Sequence, residues 1–114
     1  MYESLFQPLT LRGLTLPNRI VFAPTSMGIQ PPQFLAHISR IAAGGAGLIV
    51  IGDVPVLPAP FFSLYDEKGF AFYAQITAAA HAHGAKISAQ LHMSDSDLAG
   101  MKALLPPLRA GKLT

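Results

Sequence analysis

The sequence predicts an α/β fold: the amino-terminal portion of a parallel TIM-type (β/α)8 barrel, about three strand and helix units preceded by a β-hairpin. Three observations predict it. Short β-branched runs alternate with segments whose apolar residues recur at helical spacing, an order that pairs the strands in parallel through right-handed crossovers. Glycines stand at each passage from helix to strand. A hairpin pattern precedes the first run and suits a plug at the bottom of a barrel, although element order alone leaves a doubly wound sheet open.

The elements follow in turn. Leu9 to Leu16 reads Leu-Thr-Leu, Arg12-Gly13, Leu-Thr-Leu, a hairpin with a glycine in its turn. Ile20-Val21-Phe22-Ala23, stopped by Pro24, is expected to be a core strand buried on both faces. After a loop holding Gly28, Pro31 and Pro32, the residues Phe34, Ile38, Ile41 and Ala42 mark one helix face, and Gly44-Gly45 ends it. Leu48-Ile49-Val50-Ile51 within Gly47 to Gly52 is the second doubly buried strand, followed by a proline-rich loop from Pro55 to about Tyr65. Phe72, Ile76, Ala79 and Ala80 mark a second helix. Asp66 and Glu67 lie near the positive end of its dipole, His81 and His83 near the negative end, and Gly84 stops it. Lys86 to Leu91 is the third strand, with Ser88 and Gln90 on one face and Ile87, Ala89 and Leu91 on the other.

Residues 1–18 are thus expected to form a hairpin cap, 19–92 three strands and two helices, and 93–114 a tail with Leu98, Met101 and Leu105 at helical spacing before Pro106-Pro107. A complete barrel takes about 250 residues. The 114 residues are therefore expected to be an incomplete domain, whose free strand edge and uncovered helix faces favour association with the missing barrel half or with further copies.

Composition excludes several classes. The formal charge of +2 is scattered, with no basic run and no aromatic residues among the cations, so no nucleic acid is expected as a partner. Zero cysteines exclude a disulfide scaffold, a thiolate nucleophile and a zinc-cysteine site. The apolar stretch Ala46 to Leu57 is broken by Asp53 and Pro55 and is too short for a membrane span, and Glu3 and Pro8 do not suit a signal peptide. A cytoplasmic protein without membrane partners is expected.

In either α/β layout ligands bind at the carboxyl ends of the strands. Those ends are Ala23-Pro24-Thr25-Ser26, Gly52-Asp53 and Gln90-Leu91-His92, a mix of small residues, donors and acceptors that suits a flat polar heterocycle. Gly44-Gly45-Ala46-Gly47 precedes a strand, the reverse of a pyrophosphate cradle. His81 and His83, two apart, cannot share a helix face, which argues against a metal site; His37 lies at the edge of an apolar stripe. Asp53 reads equally as a ligand contact or a loop acid.

Three stretches in order and spacing resemble the old yellow enzyme and NADH:flavin oxidoreductase family. They are Leu5-Phe6-Gln7-Pro8-Leu9 through Asn18-Arg19-Ile20-Val21-Phe22-Ala23-Pro24, Ala43-Gly44-Gly45-Ala46-Gly47-Leu48-Ile49, and His83-Gly84-Ala85-Lys86 through Gln90-Leu91-His92. The resemblance implies an FMN-binding barrel that moves hydride from NAD(P)H through flavin to an activated alkene or related acceptor. It further implies that Ala23 and Pro24 support the ring through backbone, that Thr25 or Ser26 bonds near its O4 and N5 edge, that Gly52 allows close approach, and that the Gln90 amide meets the pyrimidine edge. The family's substrate-holding and proton-supplying residues would fall beyond Thr114, so no catalytic residue is expected within the chain. Thr25-Ser26 and His92-Met93-Ser94-Asp95 depart from the family's usual residues at these places. Two other readings stay open: a non-catalytic piece that needs a partner, and an unrelated barrel enzyme acting on a phosphorylated metabolite.

Overall fold

A computed structural model describes residues 1–93; the tail expected to be helical at 96–105 lies outside the described residues. A 3-10 turn at Glu3–Phe6 leads into β1 (Leu9–Leu11) and β2 (Leu14–Leu16), paired antiparallel with Leu9 opposite Leu16. Arg12 and Gly13 both have positive φ, 46° and 85°, as a two-residue hairpin turn of the primed type requires. Then come β3 (Val21–Phe22), α1 (Pro31–Ala43), β4 (Leu48–Pro55), α2 (Glu67–His81) and β5 (Lys86–His92).

The last three strands form one parallel sheet in the order β3-β4-β5. Ile38 and Ala42 of α1 and Ile76 and Ala80 of α2 close over Ile49 and Ile51 of β4 in a single buried cluster. Phe34, Phe72 and Ile87 pack against its edge, as the predicted helix faces require. Because directly opposed residues share a face, Val21, Leu48, Val50 and Ser88 line the side turned away from these helices. Neighbouring parallel strands with both helices on one side are the layout of the opening strands of a barrel.

Three expectations need correction. The first strand is not buried on both faces: Val21, on the side of the sheet that no described element covers, is 49% exposed, and Ile20, just before the strand, is 38% exposed. Pro31 and Pro32 are not in the loop but open α1, where missing amide protons cost nothing. β4 does not stop at Gly52; it runs through Asp53 to Pro55 by means of an irregularity described below.

α2 begins as its sequence dictates. The Asp66 carboxylate accepts the Gly69 amide at 2.7 Å, satisfying one of the four unpaired donors at the helix start. Gly45 and Gly84, with φ of 98° and 79°, turn the chain from each helix into the next strand.

Candidate functional site

Parallel neighbours end side by side, so the carboxyl ends of β3, β4 and β5 converge. Ala23, Pro24, Thr25 and Ser26 follow β3 and are all exposed. On the other two strands Ile51 pairs with Ala89 and Val54 with Leu91, which leaves Gly52 and Asp53 together facing Gln90. This is a β-bulge, a device that re-aims side chains near strand ends. Asp53 takes up the extra residue with φ of 52°. A non-glycine residue held there costs about 1–3 kcal/mol, least for Asp and Asn, and such positions concentrate at ligand sites.

At the bulge, Asp53 Oδ1 lies 3.6 Å from His92 Nδ1, with side chains 46% and 42% exposed. A pair so open to water adds little stability. The contact records only that the histidine at the end of β5 lies beside the bulge.

Gly52 has a task that its neighbours make plain. A Cβ there would lie 2.7 Å from the Thr25 amide nitrogen and 3.0 Å from its carbonyl oxygen. What the absent side chain admits is the backbone of the β3–α1 loop, and so Gly52 fixes where Thr25 and Ser26 stand.

A cavity of about 1080 Å³ opens between that loop and the β4–α2 loop. Thr25, Ser26, Gly52, Asp53 and His92 line it, with Phe61 and Phe62 on its wall. Ala23, Pro24 and Gln90 do not; Gln90 shares the helix-free face of the sheet with Ser88 and reaches the others only across the bulge. Among the described residues, the side chains of Thr25, Ser26 and Gln90 make no hydrogen bond. Two hydroxyls and an amide thus stand unengaged around three strand ends, the donor and acceptor set that the edge of a flavin ring requires. The residues present fit that group.

Other polar side chains are accounted for locally. His81 lies in the last turn of α2 and His83 just beyond it, both exposed. The ring of His37 meets Phe22 edge-on at 6.1 Å. Asn18, which the sequence offered only as part of a resemblance, ties the foot of the sheet together. Ser63 and the bulge were not foreseen; the signals for them were a lone serine inside an aromatic and proline-rich run, and the break in strand alternation at Gly52-Asp53.

No protein-family model matches the chain. A bilirubin reductase from Clostridium symbiosum is 52% identical over 116 residues, covering 100% of this chain and 31% of the relative. An NADPH dehydrogenase from Bacillus pumilus is 35% identical over 104 residues, covering 80% of this chain and 30% of the relative. The chain spans about a third of the length of the relatives it matches. Among solved structures, the old yellow enzyme homologue from Zymomonas mobilis superposes with a TM-score of 0.60 at 29% identity, over 80% of this chain and 28% of that one. A 2-naphthoyl-CoA reductase shares the fold, with a TM-score of 0.70 at 20% identity over 80% of this chain and 16% of that one. The reductase and NADPH dehydrogenase relatives, together with the old yellow enzyme homologue among the solved structures, place the chain in the old yellow enzyme family of NADH:flavin oxidoreductases, whose amino-terminal part it matches.

Proposed function

We propose that the protein is an FMN-dependent oxidoreductase that carries hydride from NAD(P)H to an activated alkene or a related acceptor, with the flavin ring held across the ends of β3, β4 and β5. The observation that carries this reading is the unengaged set of Thr25, Ser26 and Gln90 around the bulge at Gly52-Asp53. FMN, when bound, supplies the two-electron relay between nicotinamide and acceptor. The chain's own residues do the holding. Ala23 and Pro24 offer backbone to the ring, and a Thr25 or Ser26 hydroxyl donates where negative charge gathers on reduction. The Gln90 amide gives one donor and one acceptor to the pyrimidine edge. Gly52 keeps the hydroxyl-bearing loop against β4.

The acceptor we would try first is bilirubin, after the relative with 52% identity. No helix among the described residues is long and apolar enough to cross a membrane; the cytoplasmic setting is our assignment from the sequence. The open side of the sheet, with Val21 and Gln90 on it, suits the remaining strands of a closed barrel, whether from the same polypeptide, a separate half or a second copy.

Titrating FMN with the chain and following ring fluorescence and the visible spectrum tests the reading. Quenching and a shifted band that weaken about tenfold in Gln90→Ala support it. Identical titrations for the two forms would remove Gln90 from the site.

A further inference from the structure

Phe61 stands 80% exposed in a loop that is otherwise firmly held. Two residues on, Ser63 is 0% exposed. Its hydroxyl donates to the Leu57 carbonyl at 2.6 Å, has the Pro55 carbonyl in reach at 3.1 Å, and accepts the Tyr65 amide at 3.1 Å. The Leu64 amide donates to the Pro55 carbonyl at 2.9 Å, and the Tyr73 hydroxyl to the Phe62 carbonyl at 3.3 Å. Gly69 packs straight onto the Ser63 backbone, where no Cβ fits. Pro58 and Pro60 fix φ at two more positions.

The loop's own packing uses the next ring and leaves Phe61 out. Phe62 stacks on Phe72 with centroids 4.3 Å apart and planes 15° from parallel, and Phe72 meets Phe34 at 5.9 Å. Phe61 and Phe62 nonetheless line the same cavity as Thr25 and Ser26, together with Met27 and Ile29. An apolar ring kept in water on a pre-ordered loop has most of its area still to bury, and little order to lose when a ligand covers it. The cavity, at about 1080 Å³, stands just above the roughly 300–1,000 Å³ usual for small-ligand sites.

We propose that Phe61 is a specificity-determining residue of the acceptor site, a rigid ledge on which the flat conjugated rings of a large acceptor stack. This rests on the flavin reading above. Small enones gain nothing from the ledge; extended conjugated acceptors cover it.

The test uses the intact protein loaded with FMN, in wild-type, Phe61→Ala and Phe61→Tyr forms. Bilirubin is the large acceptor and 2-cyclohexenone the small one, and FMN affinity is measured alongside by fluorescence. Phe61→Ala is expected to raise KM for bilirubin about tenfold at nearly constant kcat. Its effects on the KM for 2-cyclohexenone and on FMN affinity should be several-fold smaller, and Phe61→Tyr should restore the wild-type KM for bilirubin. An unchanged KM for bilirubin, or equal changes for both acceptors, overturns the ledge while leaving the flavin reading standing. A wild-type protein that binds no FMN overturns both.

Discussion

Gly47 packs onto Asn18 so closely that no side chain fits between them, at the foot of the sheet opposite the cavity. The Asn18 amide donates to the Gly45 carbonyl at 2.7 Å, and its Oδ1 accepts the Ile20 amide at 3.0 Å. One side chain therefore joins the start of β3 to the turn that feeds β4. Replacing it by Ala is expected to cost about 1–3 kcal/mol, since two partners lose their bonds at once. Urea denaturation of Asn18→Ala beside the wild type measures this, and Gly47→Ala should destabilise by a comparable amount through collision rather than lost bonding.

Gly52→Ala separates site geometry from folding. A methyl group there meets the Thr25 backbone and pushes the β3–α1 loop off β4, leaving the buried cluster of Ile49, Ile51 and Ile76 untouched. FMN affinity should fall at least tenfold while the far-ultraviolet dichroism keeps its wild-type shape; the paired measurement is a fluorescence titration and a dichroism spectrum.

Ser63→Ala should release the β4–α2 loop. The Leu57 carbonyl and the Tyr65 amide both lose a buried partner, at a cost of about 1–3 kcal/mol. Limited proteolysis reads the outcome directly, with new cleavage expected between Pro55 and Asp66 and no change in cutting elsewhere.

Burial raises the Tyr73 phenol above its ordinary 10.0. The folded chain thus keeps this proton to higher pH than the unfolded chain does. The associated stability is present below pH 10.0 and is lost as pH climbs through the raised value. Urea midpoints taken between about pH 9 and 11 should fall more steeply for the wild type than for Tyr73→Phe, which has no proton to lose.

Helix faces were readable because burial imposes period: Ile38 and Ala42, then Ile76 and Ala80, recur at the spacing their packing demands. The hairpin was readable because Arg12-Gly13 must reverse the chain in two residues. Strand ends were readable as a site because parallel pairing brings them together whatever their residues. What escaped was whatever depends on contacts made at long range. The exposure of Val21 depends on what covers the sheet, and composition carries no record of that. Gly52 owes its identity to Thr25, 27 positions earlier, a neighbour that only the fold supplies. Ser63 resembles any loop serine until two carbonyls close on it.

The bulge carries a lesson about length rather than chemistry. β4 uses eight residues to run beside the seven of β5, and both flanking pairs, Ile51 with Ala89 and Val54 with Leu91, lie in step. Excising Asp53 would leave Gly52 opposite Gln90 and every other pairing as it is. The ladder treats that position as an insertion already absorbed. A strand built this way can gain or lose a side chain at the cavity through a single-codon insertion or deletion, a route of change that substitution tables do not describe and that leaves the hydrophobic alternation on both sides in frame.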